Sequence, residues 1–245
     1  MTKSLRDAVL LSLTPRGREL LEQIETYAGQ PVNFALYPYP PRPNSTNPTA
    51  PAAEISHDSG TIYIHGTEPQ HLFGVPHELL HIRRNWCDEI PQLHPKVNDQ
   101  RQLTLCGNVD NTLEHLVIVP QEAEYGADNS DHWKQIARAK WQGYPWPHID
   151  IKDQAGRRGN ALLGRLELEL VPDAEITALA ARGLACEGLT EEAERFASRV
   201  KQLLANKPRV LSCAVRFLRW PRDKVHLVYF DIRRKLRRTE PLPAH

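Results

Sequence analysis

Apolar residues recur at helical spacing along most of this chain, and alternating or β-branched runs are confined to a few short stretches. Residues 5–27 read as one or two helices broken near Thr14-Pro15-Arg16-Gly17, with Leu20, Leu21 and Ile24 on the inner face. Val32 to Leu36 has strand composition. A proline-dense stretch, residues 38–51, reads as a surface connection; its alternative role is a flap over a cleft, with Tyr37 and Tyr39 as contacts. Residues 55–64 place β-branched positions around Asp58-Ser59-Gly60, the pattern of a hairpin.

After that hairpin the period changes. Leu72, Phe73, Val75, Leu79, Leu80, Ile82 and Trp86 follow a helical stripe, with Arg83 and Arg84 left for the wet side. Thr67-Glu68-Pro69-Gln70 has the form of a capping box, and Pro76 requires that the helix either kink there or begin there. A second helix is expected from Asp110 or Asn111 to Ile118, with Leu113, Leu116 and Val117 on one face. A short helix ends near Tyr125-Gly126, another runs from Trp133 to Trp141, and Gly143-Tyr144-Pro145-Trp146-Pro147 breaks the chain. Helices around residues 162–170, 175–181 and 191–204 precede a closing strand at 225–230 and the basic run 233–238. The expected fold class is α+β, mainly helical, with a small antiparallel sheet beside the 72–86 helix. The expected domains are an N-terminal domain, 1–147, built around the 72–86 helix, and a mostly helical region, 148–245, that ends in the strand and the basic run.

Within the 72–86 helix, His77-Glu78-Leu79-Leu80-His81 matches the HExxH pattern of zinc hydrolases. Two histidines four residues apart stand on one helical face, where both imidazoles reach one ion. Glu78, to the side of the pair, is placed to accept a proton from water at that ion. The chemistry expected is metal-assisted hydrolysis. A catalytic zinc takes three protein ligands and keeps one open position. A metzincin-type extension is excluded, because Arg84 and Cys87 stand where its glycine and third histidine belong. His94, between prolines, is a poor candidate. Glu114 and His115 are the two candidates for third ligand, and the helical wheel favours Glu114. Tyr125, His115 and His132 are the candidate donors to an oxyanion.

The HELLH helix, followed about thirty residues later by a helix carrying a glutamate, resembles the gluzincin branch of the zincin metallopeptidases. Within that branch the order of elements is loosely similar to the ImmA/IrrE group of small bacterial peptidases. The resemblance covers about the first 140 residues. It implies a zincin-like fold and one zinc held by His77, His81 and Glu114, with Glu78 as general base. It also implies a sheet edge beside the metal along which an extended polypeptide pairs. The proline before His77, and a second helix without the Glu-Ala-Asn run, depart from that group.

Charge changes little in this picture. Lys and Arg total 31 against 30 Asp and Glu, so no global field calls for nucleic acid, and the basic run 233–238 reads as a solvated end. Four cysteines without a CxxC pair disfavour a thiolate metal site or a disulfide framework and suit a reducing cytoplasm. No stretch approaches membrane-spanning length, and Val9-Leu10-Leu11 is too short for a secretory signal. The expected protein is a cytoplasmic zinc metallopeptidase of narrow specificity, acting on a polypeptide or regulatory protein. The alternative is a non-enzymatic regulatory or binding protein on the same scaffold.

Overall fold

The computed structural model describes residues 4–38, 50–146, 149–150 and 152–244. Most of the proline-dense stretch, with Tyr39, lies outside the described residues. The fold is α+β and mostly helical, with two three-stranded sheets. Two compact units interleave along the sequence. The first comprises residues 1–91, 118–129 and 229–238, and the second 92–117, 130–228 and 239–245. The division expected at residue 147 falls inside the second unit, because segments remote in sequence close each unit.

In the first unit, α1 (Leu5–Ser12) and α2 (Pro15–Ala28) are separated where the Thr14-Pro15 signal placed the break. Thr14 Oγ1 accepts the N–H of Gly17 at 3.1 Å, and Pro15 occupies the first helical position, where its missing N–H costs nothing. Strands β1 (Asn33–Leu36), β2 (Ala52–Ile55) and β3 (Gly60–Ile64) form a sheet of order β1-β3-β2. Residues 55–60 do form the hairpin turn, pairing β2 antiparallel to β3, but β1 pairs parallel to β3. The sheet is therefore mixed rather than antiparallel, since β1 reaches β3 through a long connection instead of a turn.

β3 buries Gly60, Ile62 and Ile64 on one face with the strand period of two. The short α3 (Pro69–Leu72) has no side-chain cap bond, so the capping box read at Thr67 does not form. α4 (Val75–Trp86) follows directly, with Pro76 in its first turn: the helix begins at the proline rather than kinking. α4 packs against α2, β2 and β3, and Leu79, Ile82 and Trp86 are fully buried. Trp86 Nε1 donates to the Ser56 carbonyl at 2.9 Å, and a Cβ at Gly60 would lie 2.7 Å from the indole, so only glycine admits this approach. A 3-10 helix, Val119–Tyr125, also packs on α4 and ends at Gly126 (φ 88°), where a Cβ would lie 2.4 Å from Thr14 Cγ2.

The second unit holds β4 (Gln92–Pro95), α5 (Gln100–Ile118, all but its last residue), α6 (Ser130–Gln142), α7 (Gln154–Glu167), α8 (Ala174–Cys186), α9 (Thr190–Leu203) and α10 (Lys207–Phe217). α6 packs on α7 and α8, α7 on α9, and α9 on α10. Arg158 ties this layer together: its guanidinium pairs with Glu192 on α9 and donates to the Phe217 carbonyl at the end of α10. β4 pairs antiparallel with the start of β5 (Val225–Asp231), opposing His94 to His226. The run 233–238 is not a loose tail: it turns after β5 and enters β6 (Leu236–Glu240), and Arg238 lies over the Tyr229 ring at 4.5 Å. All four cysteines are free, and among the described residues no helix is long and apolar enough to cross a membrane.

Candidate metal centre

Because α4 starts at Val75, His77 and His81 occupy its first two turns, one above the other. Their rings meet edge to face with centroids 4.7 Å apart, and the two Nε2 atoms are 3.1 Å apart. Two imidazoles bound tetrahedrally to one zinc, at about 2.0–2.1 Å each, hold their nitrogens roughly 3.3 Å apart. The pair is therefore already spaced for a shared ion. His81 is buried and His77 half-buried, so neither ring needs to leave water to reach it.

The tautomer of His77 is fixed from behind. Glu122, only 1% exposed on the 3-10 helix, sets Oε1 2.5 Å from His77 Nδ1, and its Oε2 accepts from Asn129 Nδ2 at 2.7 Å. A carboxylate only accepts, so the proton sits on Nδ1 and the Nε2 lone pair of the neutral ring is offered to an ion. Burial disfavours an imidazolium at His77, but the bond to Glu122 and the charges of Glu78 and Glu122 outweigh it and hold the group above its ordinary value.

Glu78 points towards the sheet, where its Oε2 accepts the N–H of Ala53 on β2 at 2.9 Å. Burial pushes its carboxyl above the usual carboxylate range and Glu122 adds to this, opposed by His77 and the Ala53 N–H. A carboxylate so raised is a better proton acceptor near neutral pH than a solvated one.

His77, His81 and His115 each offer one ligand nitrogen, and these atoms all lie within 4.8 Å of one another, so the three can hold a metal ion. His115 sits one turn before the end of α5, its ring 4.6 Å from that of Trp133 on α6. Glu114, favoured on the helical wheel, is placed elsewhere. Its Oε1 is 2.6 Å from Lys207 Nζ, which is also 3.0 Å from Asp110 Oδ1 and donates to the Asp110 carbonyl at 3.2 Å. Lys207 and Glu114 are almost fully buried. Asp110 is correspondingly no helix start: α5 begins ten residues earlier, and Asp110 faces Lys207 from mid-helix. Burial pushes its carboxyl up to about 6, with repulsion from Glu114 adding and Lys207 opposing.

The other sequence candidates take ordinary places. Tyr125 accepts a long 3.4 Å bond from Arg83 at its hydroxyl, and its carbonyl takes the Thr14 hydroxyl at 3.1 Å. His132 packs edge to face on Trp133, and His94 stacks loosely on His226. Burial pushes the Cys106 thiol up to about 12, which removes it as a thiolate ligand. Glu122 and Asn129 were not legible in the sequence, since a carboxylate 45 residues from the histidine it orients leaves no local pattern. No family model, curated protein or solved structure matches this chain.

Proposed function

We propose that the chain is a zinc-dependent hydrolase of peptide bonds, with His77, His81 and His115 as ligands, Glu78 as general base and a zincin-like arrangement around them. The observation that carries this reading is the 3.1 Å approach of the two Nε2 atoms on α4, with His77 held in the ligating tautomer by Glu122. Three imidazoles leave a fourth, open position and match the borderline softness of zinc. Zinc bound there supplies a Lewis acid that polarises the scissile carbonyl and lowers the pKa of water towards neutrality. Glu78, anchored through Oε2 to Ala53, keeps Oε1 to take the proton of the attacking water and return it to the leaving amine. Glu122 holds its proton on His77 Nδ1 throughout, acting on the ring's orientation and not on the substrate.

Glu78→Gln tests the assignment. The variant is expected to keep about one zinc per chain and its fold, while cleavage of a random peptide mixture falls about 10²–10⁴-fold. Equal cleavage by parent and variant refutes a base at Glu78. Zinc binding with no cleavage of any peptide by the parent returns the chain to the binding-protein alternative.

A further inference from the structure

One face of each of α5, α6 and α7 is left facing a cavity of about 610 Å³ within the second unit. Leu105 and Val109 come from α5, Trp133 and Ile136 from α6, and Gly159 and Leu163 from α7. Each pair is three or four residues apart, so three helical stripes line one space. Leu105, a large apolar side chain, is left 36% exposed on this wall. The volume lies within the range of small-ligand sites, and beside these apolar stripes the walls carry about as many polar and charged groups, among them Asn108, Thr112 and Asn160.

The charged groups of the lining are already engaged. Arg101 pairs with Asp153 at 3.2 Å and Lys140 with Glu167 at 2.5 Å, while Asp150 Oδ1 takes the Lys152 N–H at 2.8 Å. Among the described lining residues both cations, Arg101 and Lys140, have an acidic partner. His115 lines the same cavity, against Trp133. We propose that this cavity receives an uncharged, apolar side chain of the polypeptide substrate. The polypeptide part rests on the zinc-peptidase reading; the apolar side chain rests on the cavity alone.

Gly159 provides a plug that should not disturb the fold. A Cβ there meets only Leu218 Cδ2, at 3.8 Å, and leucine is a better helix former than glycine. Titration calorimetry with N-acetyl-phenylalaninamide and N-acetyl-leucinamide, on zinc-loaded and on chelator-treated protein, reads the cavity without any activity. The expected dissociation constant is about 1 mM or tighter, weakened at least tenfold in Gly159→Leu and in Leu105→Asn, with N-acetyl-argininamide bound no better than buffer. Absence of binding by the parent, equal binding by parent and both variants, or preference for the arginine amide overturns the proposal. In cleavage of a peptide mixture, Gly159→Leu is expected to lose large apolar residues next to the cut while retaining small ones; an unchanged profile also overturns it. Amide binding by a parent that holds no zinc and cleaves nothing upholds the cavity and refutes the peptidase.

Discussion

Replacing Lys207 by methionine keeps most of the buried aliphatic stem and removes an ammonium that pairs with both Glu114 and Asp110. At 2.6 and 3.0 Å, each carboxylate gains roughly 6 kcal/mol of Coulomb attraction at an effective dielectric of 20, before the cost of stripping water from the ions. Desolvation cancels much of that in the intact triad. In the variant the cost stays and the attraction goes, so the expected loss is that of a broken buried pair, about 3–5 kcal/mol at pH 7.5. For a chain of this size that corresponds to a fall of about 6–20 °C in Tm. The sign with pH follows: the Asp110 carboxyl, already raised by burial, rises further once the amine that opposed that rise is gone. The deficit is therefore largest above that raised range and shrinks as pH falls towards 4 and the carboxylates take up protons. Urea denaturation of parent and Lys207→Met at pH 7.5 and 4.5 measures both effects. A variant within 0.5 kcal/mol of the parent at pH 7.5, or a deficit that grows in acid, would refute the argument that Lys207 offsets the dehydration of these carboxylates.

Three further expectations concern neighbouring features. Asp110, raised to about 6 in the fold from about 4 in the unfolded chain, makes the folded state bind more protons between those values, so its contribution to stability falls as pH rises through that window. Asp110→Asn removes this term and should gain on the parent as pH goes from 4 to 6.5; the opposite trend in urea midpoints contradicts the assignment. Glu122→Ala is expected to weaken zinc about 10–100-fold in competition with a chromophoric chelator while Glu122→Gln weakens it less, because the glutamine oxygen still accepts from Nδ1; equal affinities in all three proteins argue against a positioning role. Gly60→Ala drives a methyl into the buried face of Trp86 and should cost about 1–3 kcal/mol by urea denaturation, a prediction defeated by an unchanged midpoint.

Local chemistry was legible wherever cause and effect lie within a few residues. Thr14-Pro15 announced α2, Asp58-Ser59-Gly60 announced the β2–β3 hairpin, and the spacing of Leu79, Ile82 and Trp86 announced α4 with both of its histidines. Pro76 left two readings open, and its first-turn position resolves them. The errors share a cause in distant partners. Asp110 has the side chain of a helix start but pairs with Lys207, 97 positions later, and Glu114 faces the same amine. Neither relation leaves a periodic trace, and α5 extends ten residues before its stronger apolar stripe. Helix α10 carries local signals of its own, Asn206 as its cap and Pro208 in its first turn. At the candidate site, the HELLH pair and Glu78 could be read directly. The pairing of Glu114 with Lys207, the approach of His115 to the HELLH pair, and the carboxylate behind His77 required the third dimension.

Zinc content of the untagged protein, by elemental analysis, most directly tests the central claim that three histidines form a metal centre. The parent, His81→Ala, His115→Ala and Glu114→Ala are compared after equilibration with zinc and gel filtration. About one zinc per chain is expected in the parent and in any folded Glu114→Ala protein, with loss in both histidine variants. A parent without zinc, or loss in Glu114→Ala with full retention in His115→Ala, would contradict it.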